Sequence, residues 1–211
     1  MNAKKLSFLL LILVAVACTN RSTSSEQDEM RHWNNVLQQI NALLLENKAR
    51  QTLDLAKQTL PEILESAEKN GTTDTLIYYA RKIFNACGNN YINTKQYKDG
   101  IDYMDSIGNH PLIREHCPHE LLSFKAGLNQ LYGNNPEAVR LAEDYLQLPV
   151  CTSANDFIRQ AEIISGVYMY SGNNLPKAIQ ILEKAIDVYR KGGNFPNMLR
   201  IMSRLGIYYH L

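Results

Sequence analysis

The 211-residue chain predicts an all-α fold of antiparallel helical hairpins, one after another. Apolar residues recur at spacings of three and four throughout, and no stretch alternates with the period of two that a half-buried strand requires. Gly, Asn and Pro punctuate that pattern where helices should end or begin. No strand is left between the periodic runs, so each helix must bury its apolar stripe against neighbouring helices.

The elements follow in order. A first helix starts near Ser25, with Ser25 and Asp28 in capping-box spacing, and runs to about Glu46. Its buried stripe is Trp33, Val36, Leu37, Ile40, Leu43 and Leu44. A second runs from about Arg50 to Lys69, bent or interrupted at Pro61, which lacks an N–H and crowds the preceding turn. Further helices fit 74–94, 96–108, 119–132, 136–147, 155–171, 175–191 and 196–210. Gly-Asn pairs at 108–109, 133–134, 172–173 and 193–194 each follow a helical run, as a terminating glycine should. Asn135-Pro136-Glu137 is a start signal, with Asn as cap and Pro in the first helical position. Residues 110–119 read as a loop.

The stretch CGNNYINTKQYKDGIDYMDSI, residues 87–107, shows how one hairpin is built. Gly88 allows close approach of the partner helix, and Tyr91 packs on the same side. Lys95 and Gln96 make the turn, Tyr97 plugs it, and Gly100 is the small contact on the second helix. The grammar returns at Ser165, Tyr168, Gly172, Ala178, Leu182 and Ala185. It returns more weakly at Ala138, Ala142 and Tyr145, and its opening recurs at Leu205, Gly206 and Tyr209.

This pattern resembles the tetratricopeptide repeat, in which small, large and aromatic residues recur about every 34 residues. The likeness covers about residues 74–211, with a degenerate first hairpin at 30–69. The spacing departs from the family's: Gly100, Ala138 and Ala178 are 38 and 40 apart, Lys95 replaces the usual turn glycine, and Asn173-Asn174 lengthens a turn by one residue. The resemblance implies a right-handed superhelix, an α-solenoid over residues 29–211, with first helices lining a concave face that holds proteins or peptides.

The N-terminus, MNAKKLSFLLLILVAVAC, stands apart from that fold. Lys4 and Lys5 form a basic region, Leu6 to Val14 an apolar one, and Ala15 and Ala17 precede Cys18. The apolar run is shorter than the roughly 20 residues that span a bilayer. Cys18 after Ala-Val-Ala resembles the lipobox of bacterial lipoproteins, although Ala15 stands where that motif most often has Leu. The resemblance implies removal of residues 1–17, lipidation of Cys18, a polar tether at 18–28, and a lipid-anchored, extracytoplasmic protein of the cell envelope. Losing Lys4 and Lys5 turns the formal charge from +1 to −1, which leaves no electrostatic footprint for nucleic acid.

Candidate binding residues form a stripe. Lys82, Asn85, Asn89 and Asn93 share one face of a first helix, and Arg159, Glu162, Arg200 and Arg204 fall at corresponding places in later hairpins. Together they suit hydrogen bonding to backbone or carboxylate; the competing reading is a solvated helix face. His110, His116, Cys117 and His119 match no standard metal-site spacing, and Asp99, Asp102 and Asp105 read as an acidic outer face. Neither metal nor other cofactor is expected. Cys87 should be a buried small hydrophobe; Cys117 and Cys151 close adjacent hairpins, either bridged or as two thiols. No phosphate loop, G-x-S-x-G, H-E-x-x-H or paired C-x-x-C is present, so a binding protein is expected rather than an enzyme.

The last run, MLRIMSRLGIYYHL, reads as a first helix without its partner. We expect it to belong to a longer protein or to fold against another segment. The sequence thus favours a membrane-anchored interaction scaffold. The alternative is the N-terminal extracytoplasmic sensor region of a longer signalling or transcription-regulatory protein.

Overall fold

A computed structural model of the chain describes residues 28–149, 154–192 and 195–210. Residues 1–27, which hold the expected signal sequence, Cys18, Ser25 and all of the expected tether but Asp28, lie outside the described residues, as does Cys151. The fold is all-α, with no strand among the described residues. Helix α1 covers 28–45. It is followed by α2 (Ala49–Asn70), α3 (Asp74–Asn93), α4 (Tyr97–Ile107), α5 (Pro111–His116) and α6 (Pro118–Tyr132). Then come α7 (Asn135–Gln147), α8 (Ala154–Tyr170), α9 (Leu175–Gly192) and α10 (Phe195–Tyr209).

Among the described residues, four helix pairs are closed by turns with one residue in the left-handed region: Asn47 (φ 56°), Lys95 (φ 58°), Gly133 (φ 96°) and Asn173 (φ 45°). The first three turns share one hydrogen-bond pattern. Lys48 N–H reaches the Leu43 carbonyl at 2.9 Å, Gln96 N–H reaches Tyr91 at 3.1 Å, and Asn134 N–H reaches Asn129 at 2.9 Å. In each, the left-handed residue itself donates three residues back, so the last carbonyls of the helix are satisfied. The fourth turn is one residue longer, as its sequence implies: Asn174 N–H reaches back to Tyr168 at 2.9 Å. Of the Gly-Asn pairs, only Gly133 terminates its helix in the left-handed region. Gly108 is right-handed (φ −65°), Asn173 rather than Gly172 makes its turn, and 193–194 lie outside the described residues.

Packing runs between near neighbours in the chain. α2 packs on α3, α3 on α4 and α6, α4 on α6, α6 on α7 and α8, α7 on α8, α8 on α9, and α9 on α10. Consecutive first helices α3, α6 and α8 therefore touch one another as well as their own partners. Two apolar clusters result, one over α1 to α6 and one over α6 to α10. Helix α6 serves both, giving Phe124 and Leu128 to one and Ala126 to the other.

Several local expectations are revised. Helix α2 continues through Pro61. Leu44 is exposed because α1 is already ending there. The run 110–119 holds a short helix, α5, with Pro111 in its first turn and His110 Nδ1 accepting from the Leu112 N–H at 3.2 Å. In α10 the buried tyrosine is Tyr208, and Tyr209 faces out. Gly88 admits α6 rather than its hairpin partner α4: a Cβ there would sit 2.4 Å from the Phe124 ring. Gly127 serves α6 in the same way, since a Cβ there would fall 2.7 Å from Ile163 Cγ2 of α8. Gly100 meets Tyr91 and Leu128, as its size demands. Cys87 is fully buried, and that burial pushes its thiol up to about 12, so it stays protonated and inert.

Candidate protein-binding face

The polar stripe begins on α3. Asn89 donates through Nδ2 to the Asn85 carbonyl at 2.9 Å, leaving its Oδ1 as an acceptor. Arg159 Nε of α8 donates to that oxygen at 2.8 Å. Two first helices are thus bridged past the intervening α6 by residues 70 positions apart. Lys82 lies with Nζ 5.7 Å from the Tyr78 ring centre, and Asn93 is exposed at the end of the same helix.

Glu162 is the centre of the second half. Its side chain is only 4% exposed, so its carboxylate must be compensated. Arg200 Nη2 of α10 stands 2.9 Å from Oε2 and Arg159 Nη1 stands 3.8 Å away. The Glu162 backbone carbonyl accepts from Arg204 Nη1 and from Ser165 Oγ, each at 3.0 Å. One residue therefore ties α10 to α8 through both its side chain and its backbone. Burial draws the Arg159 guanidinium below its usual pKa; Glu162 opposes that, while the charges of Arg200 and Arg204 add to it.

Of the eight stripe residues expected from sequence, Asn89, Arg159, Glu162, Arg200 and Arg204 form one connected network, which meets Asn85 at its backbone carbonyl. Lys82 and Asn93 lie along the α3 face beside it. A second buried carboxylate escaped sequence reading: Glu120 of α6, 2% exposed, with Arg81 Nε of α3 at 3.2 Å and Ser123 Oγ donating to its carbonyl at 3.0 Å. The signal was present, as Glu-Leu-Leu-Ser at 120–123 and Glu-Ile-Ile-Ser at 162–165.

Beside the network lies a groove of about 190 Å³. Its walls include Ile92, Gln130, Leu131, Arg159, Tyr170 and Arg204, and Glu162 borders it. Gly127 and Gly166 also line it.

The histidine run points apart rather than inward. His110 Nε2 faces Glu68 at 3.1 Å, and His119 Nε2 donates to the Pro149 carbonyl at 2.7 Å. The His116 carbonyl accepts from Arg81. Among the described residues no three His, Cys, Asp or Glu side chains are grouped to hold a metal. Asp105 pairs with Lys125 at 2.6 Å and Asp102 with Lys98, on an exposed side of α4. Cys117 is buried at the start of α6. Among the described residues no helix is long and apolar enough to cross a membrane. No protein-family model matches the chain, and no curated protein matches it.

Proposed function

We propose that the chain is a TPR-like protein–protein interaction scaffold, tethered to a membrane of the bacterial cell envelope through lipidated Cys18. Its helix pairs stack as a right-handed superhelix, with α3, α6, α8 and α10 lining the concave face. The protein's work is binding, not catalysis. The observation carrying this reading is the Asn89–Arg159 bridge beside an open groove: side chains from helices distant in sequence meet on one face. Repeated turns and contacts between successive first helices support the stacked arrangement, since hairpins of this kind bury their apolar faces only against neighbours. The lipid anchor rests on the Lys4 to Cys18 motif alone.

Capture of envelope proteins on the tagged chain tests the binding face. Asn85→Ala with Asn89→Ala should reduce recovery of specific partners at least several-fold, whereas exposed Asp102→Ala on α4 should not. Unchanged capture by the double variant would remove the concave face from the reading. Anchoring is tested by fractionation: Cys18→Ser should move the protein from the membrane to the soluble fraction.

A further inference from the structure

The groove between α3, α6, α8 and α10 carries two kinds of information about its occupant, one from charge and one from spacing. Among the described residues the charge is unbalanced: Arg159, Arg200 and Arg204 surround one carboxylate, Glu162. Arg204 gives its contact to a neutral carbonyl and forms no ion pair among the described residues. Guanidiniums gathered this closely repel one another, and the influence of Arg200 and Arg204 on Arg159 records that. An anion entering the groove would relieve the repulsion and meet preformed donors.

The spacing is regular. Ile92, Leu131 and Tyr170 recur every 39 residues, each in the last turn of a first helix, and all three line the groove. Leu131 is 42% and Tyr170 70% exposed, so this apolar row is open. Packed helices stand about 8–10 Å apart. A chain in the polyproline II conformation turns once per three residues and rises about 9 Å in doing so. Its every third side chain therefore matches one apolar residue of the row.

Resting on the scaffold reading above, we propose that this groove binds an extended acidic peptide segment. Its apolar side chains recur at every third residue against Ile92, Leu131 and Tyr170, and one of its Asp or Glu side chains pairs with Arg204 and Arg159. Glu162 acts as the resident competitor, holding the guanidiniums in place while limiting their affinity for the incoming carboxylate.

The probe is a fluorescent peptide with blocked ends, Leu at every third position and Glu at one position between, compared with its Gln counterpart by anisotropy. The wild-type protein should bind the Glu peptide roughly tenfold more tightly, because a charge-assisted pair is about twice as strong as a neutral hydrogen bond. Arg204→Gln should bring the Glu peptide to the level of the Gln peptide. Glu162→Gln, of nearly the same shape, should tighten the Glu peptide several-fold by removing the competitor. A merely structural cluster would instead lose affinity in both variants, and that result overturns the proposal. Equal wild-type affinity for the two peptides, or binding of neither, overturns it as well. The scaffold reading is judged separately: it survives either result if Asn85→Ala with Asn89→Ala still diminishes partner capture.

Discussion

Whether a glycine is a contact or merely a gap is decided at the scale of single residues. Gly88 and Gly206 both lie inside helices, where glycine costs about 1 kcal/mol relative to alanine. At Gly206 nothing lies within 4 Å of an added Cβ, so Gly206→Ala should raise stability by about 0.5–1 kcal/mol. At Gly88 the Cβ would fall 2.4 Å from the Phe124 ring, and overpacking of this kind costs about 1–3 kcal/mol. Overpacking exceeds the propensity gain, so Gly88→Ala should lower the urea midpoint and Gly206→Ala should raise it. Adding Phe124→Leu to the first variant should recover some of the loss by making room. The sequence marks both glycines and cannot rank them, because the deciding atom is 36 residues away in one case and missing in the other.

At the scale of elements, helix existence is legible in the sequence and helix termini are less so. The apolar period locates nearly every described helix, but α5 is too short to show a period, and only Pro111 after His110 hints at it. Turns are hardest to read where chemistry admits substitutes for glycine. Lys95 and Asn47 hold the left-handed conformation that Gly133 holds in the third turn, because the repeated helix-closing hydrogen bonds demand it. Asn tolerates that region; Lys has no local compensation and its side chain is exposed. Lys95→Gly should therefore stabilise the protein by about 0.5–1 kcal/mol, with relief of strain exceeding the added freedom of the unfolded chain. A lower thermal midpoint would show that the Lys95 backbone is not strained.

For the whole molecule, near-neighbour packing sets how stability is distributed. The main contacts from α2 onward join helices close in chain order, so disturbance at one end has few routes to the other. Leu182 of α9 is fully buried in the cluster formed by α6 to α10. Leu182→Ala should cost about 2–5 kcal/mol locally. Amide exchange should then rise sharply in α8 to α10 while α2 and α3 keep most of their protection. Uniform loss of protection along the chain would mean one cooperative unit instead. The candidate face is a property of this same scale: Asn89 and Arg159 meet only because α3, α6 and α8 lie side by side.

By itself the sequence determined the helical class, most helix positions, the hairpin turns and the residue types available on each face. These follow from local physics: a period of three to four, caps, and residues that stop helices. It also marked the stripe from Lys82 to Arg204 as polar. Tertiary structure alone decided that five of those residues join into one network, that Glu162 is buried among three arginines, and that Ile92, Leu131 and Tyr170 border one groove. The reason is geometric. A helix carries its own period within a few residues, whereas a site spread over four helices exists only once packing has fixed their separation and rotation.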